Sequence, residues 1–282
     1  ENERGWKGDS SMSFPFVLVR GAGDLATGTI VKLHKSGIKV LAVECANPSA
    51  IRRQAALCEA VYDGSATVEG VICRKIDNIN EIERCFERCE VPLLVDEKLE
   101  CLEKIKPVAV IDAIIAKKNL GTKIDMALVT IALGPAFVAG EDVHAVIETQ
   151  RGHNLGRVIY KGSAAPNTGI PGVIAGESVK RVIHSPATGE IKHLVNIGEI
   201  VNEGQEIAII NNVPVIATLT GVLRGLIREG YYAKEGMKIA DIDPRKEQKE
   251  NCTTISDKAR CIAGGVLEAV MHLSNEQGVK LF

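Results

Sequence analysis

Apolar residues along the chain fall into short blocks spaced for strands, separated by stretches with helical spacing. Residues 16–20 (FVLVR) predict a first strand, followed by a turn at Gly21-Ala22-Gly23-Asp24. Leu25, Ile30 and Leu33 then share one helical face over 25–36, and Gly37 stops that helix. Residues 38–43 (IKVLAV) predict a second strand, giving a βαβ opening. The alternation continues with helix 50–60, a short strand at 70–73, helix 78–89, strand 91–96, a short helix 97–104 and strand 108–114. Strands alternating with helices predict a parallel sheet covered on its faces.

The texture changes after Ala127, where the chain becomes glycine-rich and mixed. Within 184–243 the pattern repeats. Residues 188–210 align with 220–242 at a constant offset of 32 residues, and nine positions are identical, among them Thr188/Thr220, Gly198/Gly230, Gly204/Gly236 and Ile207/Ile239. Glycines recurring at matched turns predict two similar β-units closing one core. A polar stretch at 245–255 precedes a helix over 257–272, with Ser256 and Asp257 as cap and first-turn residues. The expected organisation is a tail (1–12, with Met12 the natural start), a nucleotide-binding domain (13–130), a connecting region with a polar loop (131–183), the repeat (184–243) and a helical segment (244–282).

Composition narrows the function classes. With 45% hydrophobic residues, 4% aromatic residues and 27 glycines, the chain suits an α/β protein with many tight turns. Acidic and basic residues nearly balance, 36 against 34, and no like-charge block stands out, which argues against nucleic acid or an anionic membrane as partner. The longest uncharged apolar stretch, 126–140, is shorter than the ~20 residues of a spanning helix. Eight cysteines without a C-x-x-C pair read as reduced cytosolic thiols, mostly core filler, with a metal cluster as the minor alternative.

Two constellations carry candidate chemistry. In the first, Gly21, Gly23, Asp24, Ala26, Thr27 and Gly28 follow a strand and open a helix. Gly21 permits the tight turn, Gly23 lets a pyrophosphate approach the backbone, and Ala26 suits close helix packing. The helix N-terminus offers N–H groups to an anion. Glu44 ends the second strand, where an acidic residue bonds ribose hydroxyls, and Arg52 and Arg53 follow as either phosphate ligands or a solvated face. Asp112 ends a later strand, followed by Lys117 and Asn119. In the second, Glu148, Arg151, His153, Asn154 and Arg157 lie within ten residues. The arginines suit a phosphate or a pterin-like ring, and His153 and Glu148 suit proton transfer. Asn167-Thr168-Gly169 adds a polar turn. A surface loop with internal ion pairs is the competing interpretation. The sequence pattern alone does not identify a Ser/His/Asp triad or a metal motif.

The repeat resembles the paired half-motifs of biotinyl/lipoyl domains, or barrel-sandwich hybrids. The stretch corresponding to the cofactor-bearing tip, 209–215 (IINNVPV), has no lysine, so biotin and lipoate are not expected. The fold class expected is therefore a Rossmann-like parallel sheet domain plus a β-rich module of that type.

RGAGDLATG (20–28), NPSAIRR (47–53), ETQRGHNLGRVI (148–159), NTGIPG (167–172) and SDKARCIAGGVLEAV (256–270) together resemble the selenium-dependent molybdenum hydroxylase system proteins, the YqeB-type family. The motifs keep the family order over nearly the whole chain after about residue 15. GPAFVAG (134–140) departs from the pattern, which has a second glycine and a threonine there. The resemblance implies a cytoplasmic accessory factor that matures a molybdenum hydroxylase, akin in role to XdhC-type chaperones. Its partner would be the hydroxylase apoenzyme. Its ligand would be a nucleotide of the NAD(P) or CTP/ATP kind, or molybdopterin cofactor. The alternatives are an NAD(P)-dependent oxidoreductase and a ligand-free scaffold.

Overall fold

The computed structural model describes residues 14–167 and 173–282. The tail at 1–12 and the Thr168-Gly169 part of the polar turn lie outside the described residues. Two compact units emerge. The first comprises 1–48, 57–167 and 255–282; the second comprises 49–56 and 168–254.

In the first unit, β1 (Val17–Arg20), α1 (Asp24–Lys35) and β2 (Val40–Glu44) form the expected βαβ opening, with β1 fully buried. The chain from 57 to 63 makes a 3-10 turn and a one-turn helix, α2 (Ala60–Asp63), where a longer helix was expected. A hairpin of β3 (Ser65–Val68) and β4 (Val71–Ile76) follows, then α3 (Ile82–Glu87) and β5 (Val91–Val95). β6 (Ala109–Asp112), β7 (Val129–Leu133), β8 (Ala145–Ile147) and β9 (Val158–Ile159) extend the sheet on its other side. Nine strands result, in the order β3-β4-β5-β2-β1-β6-β7-β8-β9. α4 (Asp257–Glu276) completes the unit, and the Ser256 hydroxyl accepts the Ala259 N–H at 3.1 Å as its N-cap.

α1 and α4 pack closely because Gly28 faces Ala259. A Cβ at residue 28 would lie 2.9 Å from the Ala259 Cβ and carbonyl oxygen. α1 buries Ala26, Ile30 and Leu33. Phe16, Leu18, Leu41, Ile82 and Ile105 fill one core, with Phe14 and Phe86 in an edge-on ring contact.

The second unit holds the repeat. Its strands are β10 (Val182–His184), β11 (Gly189–His193), β12 (Ile200–Val201), β13 (Glu206–Ile210), β14 (Val213–Ile216), β15 (Gly221–Leu226), β16 (Tyr232–Ala233) and β17 (Lys238–Asp243). They form two four-stranded sheets, β10-β17-β15-β12 and β14-β13-β11-β16. The halves exchange strands: β12 of the first pairs with β15 of the second, and β16 of the second with β11 of the first. The repeated residues explain why. The Thr188 hydroxyl accepts from Glu235 N, and the Thr220 hydroxyl from Glu203 N, both at 3.0 Å. Gly198 N donates to Leu223 O, and Gly230 N to Ile191 O, at 2.8 and 2.9 Å. Both glycines sit at positive φ, 91° and 76°, which a side chain would strain. Ile191, Ile207, Leu223 and Ile239 close one shared core.

The expected fold class requires correction. A Rossmann-like parallel sheet does not describe the first unit, because the sheet is mixed. β3 and β9 run antiparallel to their neighbours, while the strands between are parallel. The links from β5 through β8 also lack α-helices, with only short 3-10 turns at 100–103 and 124–126. Gly121, Gly134-Pro135 and Gly140 interrupt helical spacing there. The biotinyl/lipoyl-type module is likewise replaced by the two antiparallel sheets with exchanged strands. The stretch expected at a carrier tip is a two-residue hairpin turn, Asn211-Asn212, with both residues at positive φ. No described helix is long and apolar enough to cross a membrane.

Candidate ligand cavity at the strand ends

β1 lies at the centre of the large sheet. The chain leaves it toward β2, then returns from β5 to β6 on its other side. Ligands of open sheets settle at the carboxyl ends of strands beside such a reversal. A cavity of about 590 Å³ lies at these ends, bounded by Arg20 and Gly21 after β1, Val43 and Glu44 at the end of β2, and loop residues following β5 and β6.

The glycine turn is held tightly. Gly21 adopts φ +100°, and a Cβ there would press 3.2 Å from the Ala113 and Ile114 backbone, so the turn requires glycine. Gly23, which opens α1, differs: a Cβ there would meet nothing within 4 Å. The Thr27 hydroxyl donates to Ala22 O at 3.1 Å and accepts from Leu57 N at 2.9 Å, so this side chain fixes the turn. Asp24 stands half-buried in the first turn of α1.

Glu44 reaches back to this turn. Its Oε2 accepts from Ala22 N and its Oε1 from Cys45 N, each at 2.8 Å. Cys45 also lines the cavity, and burial, with the Glu44 charge second, pushes its thiol up to about 11. It therefore stays protonated at neutral pH. Burial and then Glu44 raise the Cys58 thiol in the same way.

Sequence reasoning overlooked Arg20. Its side chain is 7% exposed and clamps two loops. One terminal nitrogen donates to Thr122 at 2.9 Å and approaches Asp112 at 3.5 Å. The other donates to the carbonyls of Glu97 and Leu120 at 3.0 and 3.1 Å. An arginine closing a strand of small apolar residues was the available signal. Asp112, a predicted ligand residue, is buried in this same network, accepting from the Thr122 hydroxyl at 2.6 Å and from Ile114 N at 3.2 Å. Asn119 caps the following turn through Gly121 N and Thr122 N.

The remaining predicted residues lie elsewhere. Arg52 and Arg53 belong to the second unit, where Arg52 donates to Asn251 O and Thr254 O, and Arg53 to Leu226 O. Gly225 explains the attachment, since a Cβ there would meet Ile51 at 2.7 Å. In the 148–157 loop, Glu148 is buried and accepts from Gln150 N and Ala165 N, at 2.7 and 2.8 Å. Arg151 takes both oxygens of Asp257 at 2.8 and 3.0 Å, and this pairing holds the Asp257 carboxyl well below the usual range. His153, Asn154 and Arg157 are exposed. None of these five lines the cavity.

The loop does reach the start of α4. Lys258, a second overlooked residue, feels Arg151, Asp24, Asp257 and Glu148 together, and burial, then Arg151, lowers its pKa. The signal for it was the SDKAR stretch within the last motif. Five cysteines, 58, 73, 85, 101 and 252, are buried, and no group of three or more metal-ligating side chains gathers among the described residues.

No protein-family model matches the chain. The sequence is 50% identical over 264 residues to the uncharacterized protein YqeB of Escherichia coli (strain K12), covering 94% of this chain and 48% of that protein. The chain thus spans about half the length of this curated relative, and the similarity agrees with the YqeB-type resemblance of the motifs. Among solved structures, a succinylglutamate desuccinylase from Silicibacter sp. TM1040 covers 81% of this chain and 84% of its own at 12% identity, with a TM-score of 0.24. A succinylglutamate desuccinylase/aspartoacylase from Rhodobacter sphaeroides covers 82% and 85% at 14% identity, with a TM-score of 0.25. Scores this low establish no common fold.

Proposed function

We propose that this protein is an accessory factor for a molybdenum hydroxylase, and that it holds a phosphate-bearing cofactor in the cavity at the ends of β1, β2 and β5. The motif resemblance supplies the biological role. The cavity supplies the chemistry, and one observation carries it: a 590 Å³ space at the strand-order reversal is bounded by Gly21, the first residue of a glycine turn that leads into an α-helix. Backbone N–H groups at such a helix start favour an anion. The open direction at Gly23 leaves room for a ligand to meet the backbone. Val43, Ile114, Leu120 and Met126 give an apolar wall for a flat ring.

A thermal-shift screen against NAD, NADP, ATP, CTP and molybdopterin compounds tests the proposal. A ligand at a hundred times its Kd adds about 2.7 kcal/mol to stability, a readily measured rise in Tm. At least one of these compounds is expected to give it. A flat screen across all of them contradicts the proposal.

A further inference from the structure

We propose that the cavity receives a flat heterocycle through a ring carbonyl, which accepts a hydrogen bond from Arg20, and that it therefore selects oxo-substituted rings over their amino counterparts. This rests on the binding role proposed above and narrows its ligand.

Arg20 ends β1 and borders the cavity, with its side chain 7% exposed. A guanidinium carries five N–H donors and no acceptor. The terminal nitrogens are already placed. Nη1 donates to Thr122 Oγ1 at 2.9 Å and approaches Asp112 at 3.5 Å, and Nη2 donates to Glu97 O and Leu120 O at 3.0 and 3.1 Å. The fifth donor, on Nε, is buried and has no hydrogen-bond partner among the described residues. A buried donor on a charged group is costly to leave unmade, so an acceptor supplied by a ligand is its natural complement. The long approach to Asp112 is the contact that yields as this N–H turns to meet it.

Charge and shape set the class of acceptor. One N–H suits one acceptor atom, whereas a carboxylate or phosphate takes an arginine by two parallel bonds. Glu44, Asp96 and Glu97 line the same cavity against Lys98, and Asp112 already faces the Arg20 charge, so an anion entering here meets net negative charge. A neutral carbonyl oxygen avoids that repulsion and still gains a bond from a charged donor. Val43, Leu99, Ile114, Leu120 and Met126 supply apolar surface for the ring that carries it. The phosphate keeps to the backbone N–H groups at the start of α1, and the ring takes the cavity. An amino group in place of the carbonyl would set donor against donor.

Calorimetry on the full chain tests this with two matched pairs: ITP with ATP, and pterin with 2,4-diaminopteridine. Each pair exchanges a ring carbonyl for an amino group, and the two pairs separate a nucleobase from a pterin as its source. In whichever pair binds, the oxo member is expected to bind about tenfold or more tightly, because a site built around a hydrogen bond discriminates against its loss. Arg20→Lys keeps the charge but removes the Nε–H. It should bring the ratio close to one, whereas loss of the loop clamp alone would weaken both members alike. A Lys variant that does not fold leaves the wild-type ratios as the test. Equal affinity within a pair that binds overturns the inference and leaves the binding role standing. So does an unchanged ratio in folded Arg20→Lys, or binding of ATP or NAD with neither oxo compound bound. If nothing binds, the binding role fails and this inference fails with it.

Discussion

Two stretches of this chain combine glycines with polar side chains, the second far denser in the latter, yet they finish in opposite states. The turn at 21–28 lies at the ends of central parallel strands and borders a cavity. The loop at 148–157 joins the edge pair β8 and β9, and its buried groups are consumed by the protein itself. Density of functional residues therefore does not mark a site. Position on the sheet decides which stretch borders a cavity, because strand ends at a reversal leave backbone and side-chain groups facing a crevice. At a sheet edge the same residues close a loop and dock it on α4.

That contrast is open to attack by mutation, and the docking of the loop should give the largest effect. A Cβ at Gly265 of α4 would collide with the Gly156 carbonyl oxygen, a backbone atom with little freedom to yield. Gly265→Ala gains helix propensity of about 1 kcal/mol but overpacks this contact. A net loss of about 2 kcal/mol or more is expected in urea unfolding. An unchanged midpoint would mean that the loop is not docked there.

Next comes Glu148. Removing its carboxylate takes the acceptor from two part-buried backbone N–H groups, for about 1–2 kcal/mol. Glu148→Ala should lower stability by that amount without altering ligand affinity. A variant of normal stability that loses ligand would make the loop part of the site.

Arg151 should matter less, since its pair with Asp257 is largely exposed. Arg151→Ala is expected to cost under about 1 kcal/mol at neutral pH. The Asp257 carboxyl is depressed in the folded state by Arg151. Its contribution is thus present above the ordinary carboxylate range and fades as pH falls through the lowered folded value. The wild-type advantage over Arg151→Ala, followed by denaturation at several pH values, should persist from pH 7 to about 5 and shrink below about pH 4. A gap that widens on acidification would contradict this pairing.

Much of the first unit was readable in advance, because β1, α1, β2, β5 and β6 carry continuous apolar runs or a clean helical face. The Ser256 cap was readable for the same local reason. What escaped was long-range. β7, β8 and β9 read as a change of texture because glycine-rich links replace the helices that signal a continuing sheet. Arg52 and Arg53 follow β2 in sequence, but the approach of Ile51 to Gly225 takes their segment into the second unit. The period of 32 residues announced the repeat, while the strand exchange depends on pairings such as Thr188 with Glu235, 47 residues apart. The place of Glu44 at the end of β2 was readable in the sequence, but its grip on Ala22 N was visible only in three dimensions.

The central claim is that the strand-end cavity, approached through the Gly21–Gly23 turn, binds the ligand. Gly23→Val tests it most directly, since its Cβ would enter open space and φ there is an ordinary −64°. Because Gly23 is the N-cap of α1, the account predicts a loss of stability of no more than about 2 kcal/mol, which leaves the protein folded. It also predicts that the ligand found by thermal shift no longer binds in calorimetry. A folded Gly23→Val protein that binds that ligand with wild-type affinity would contradict it.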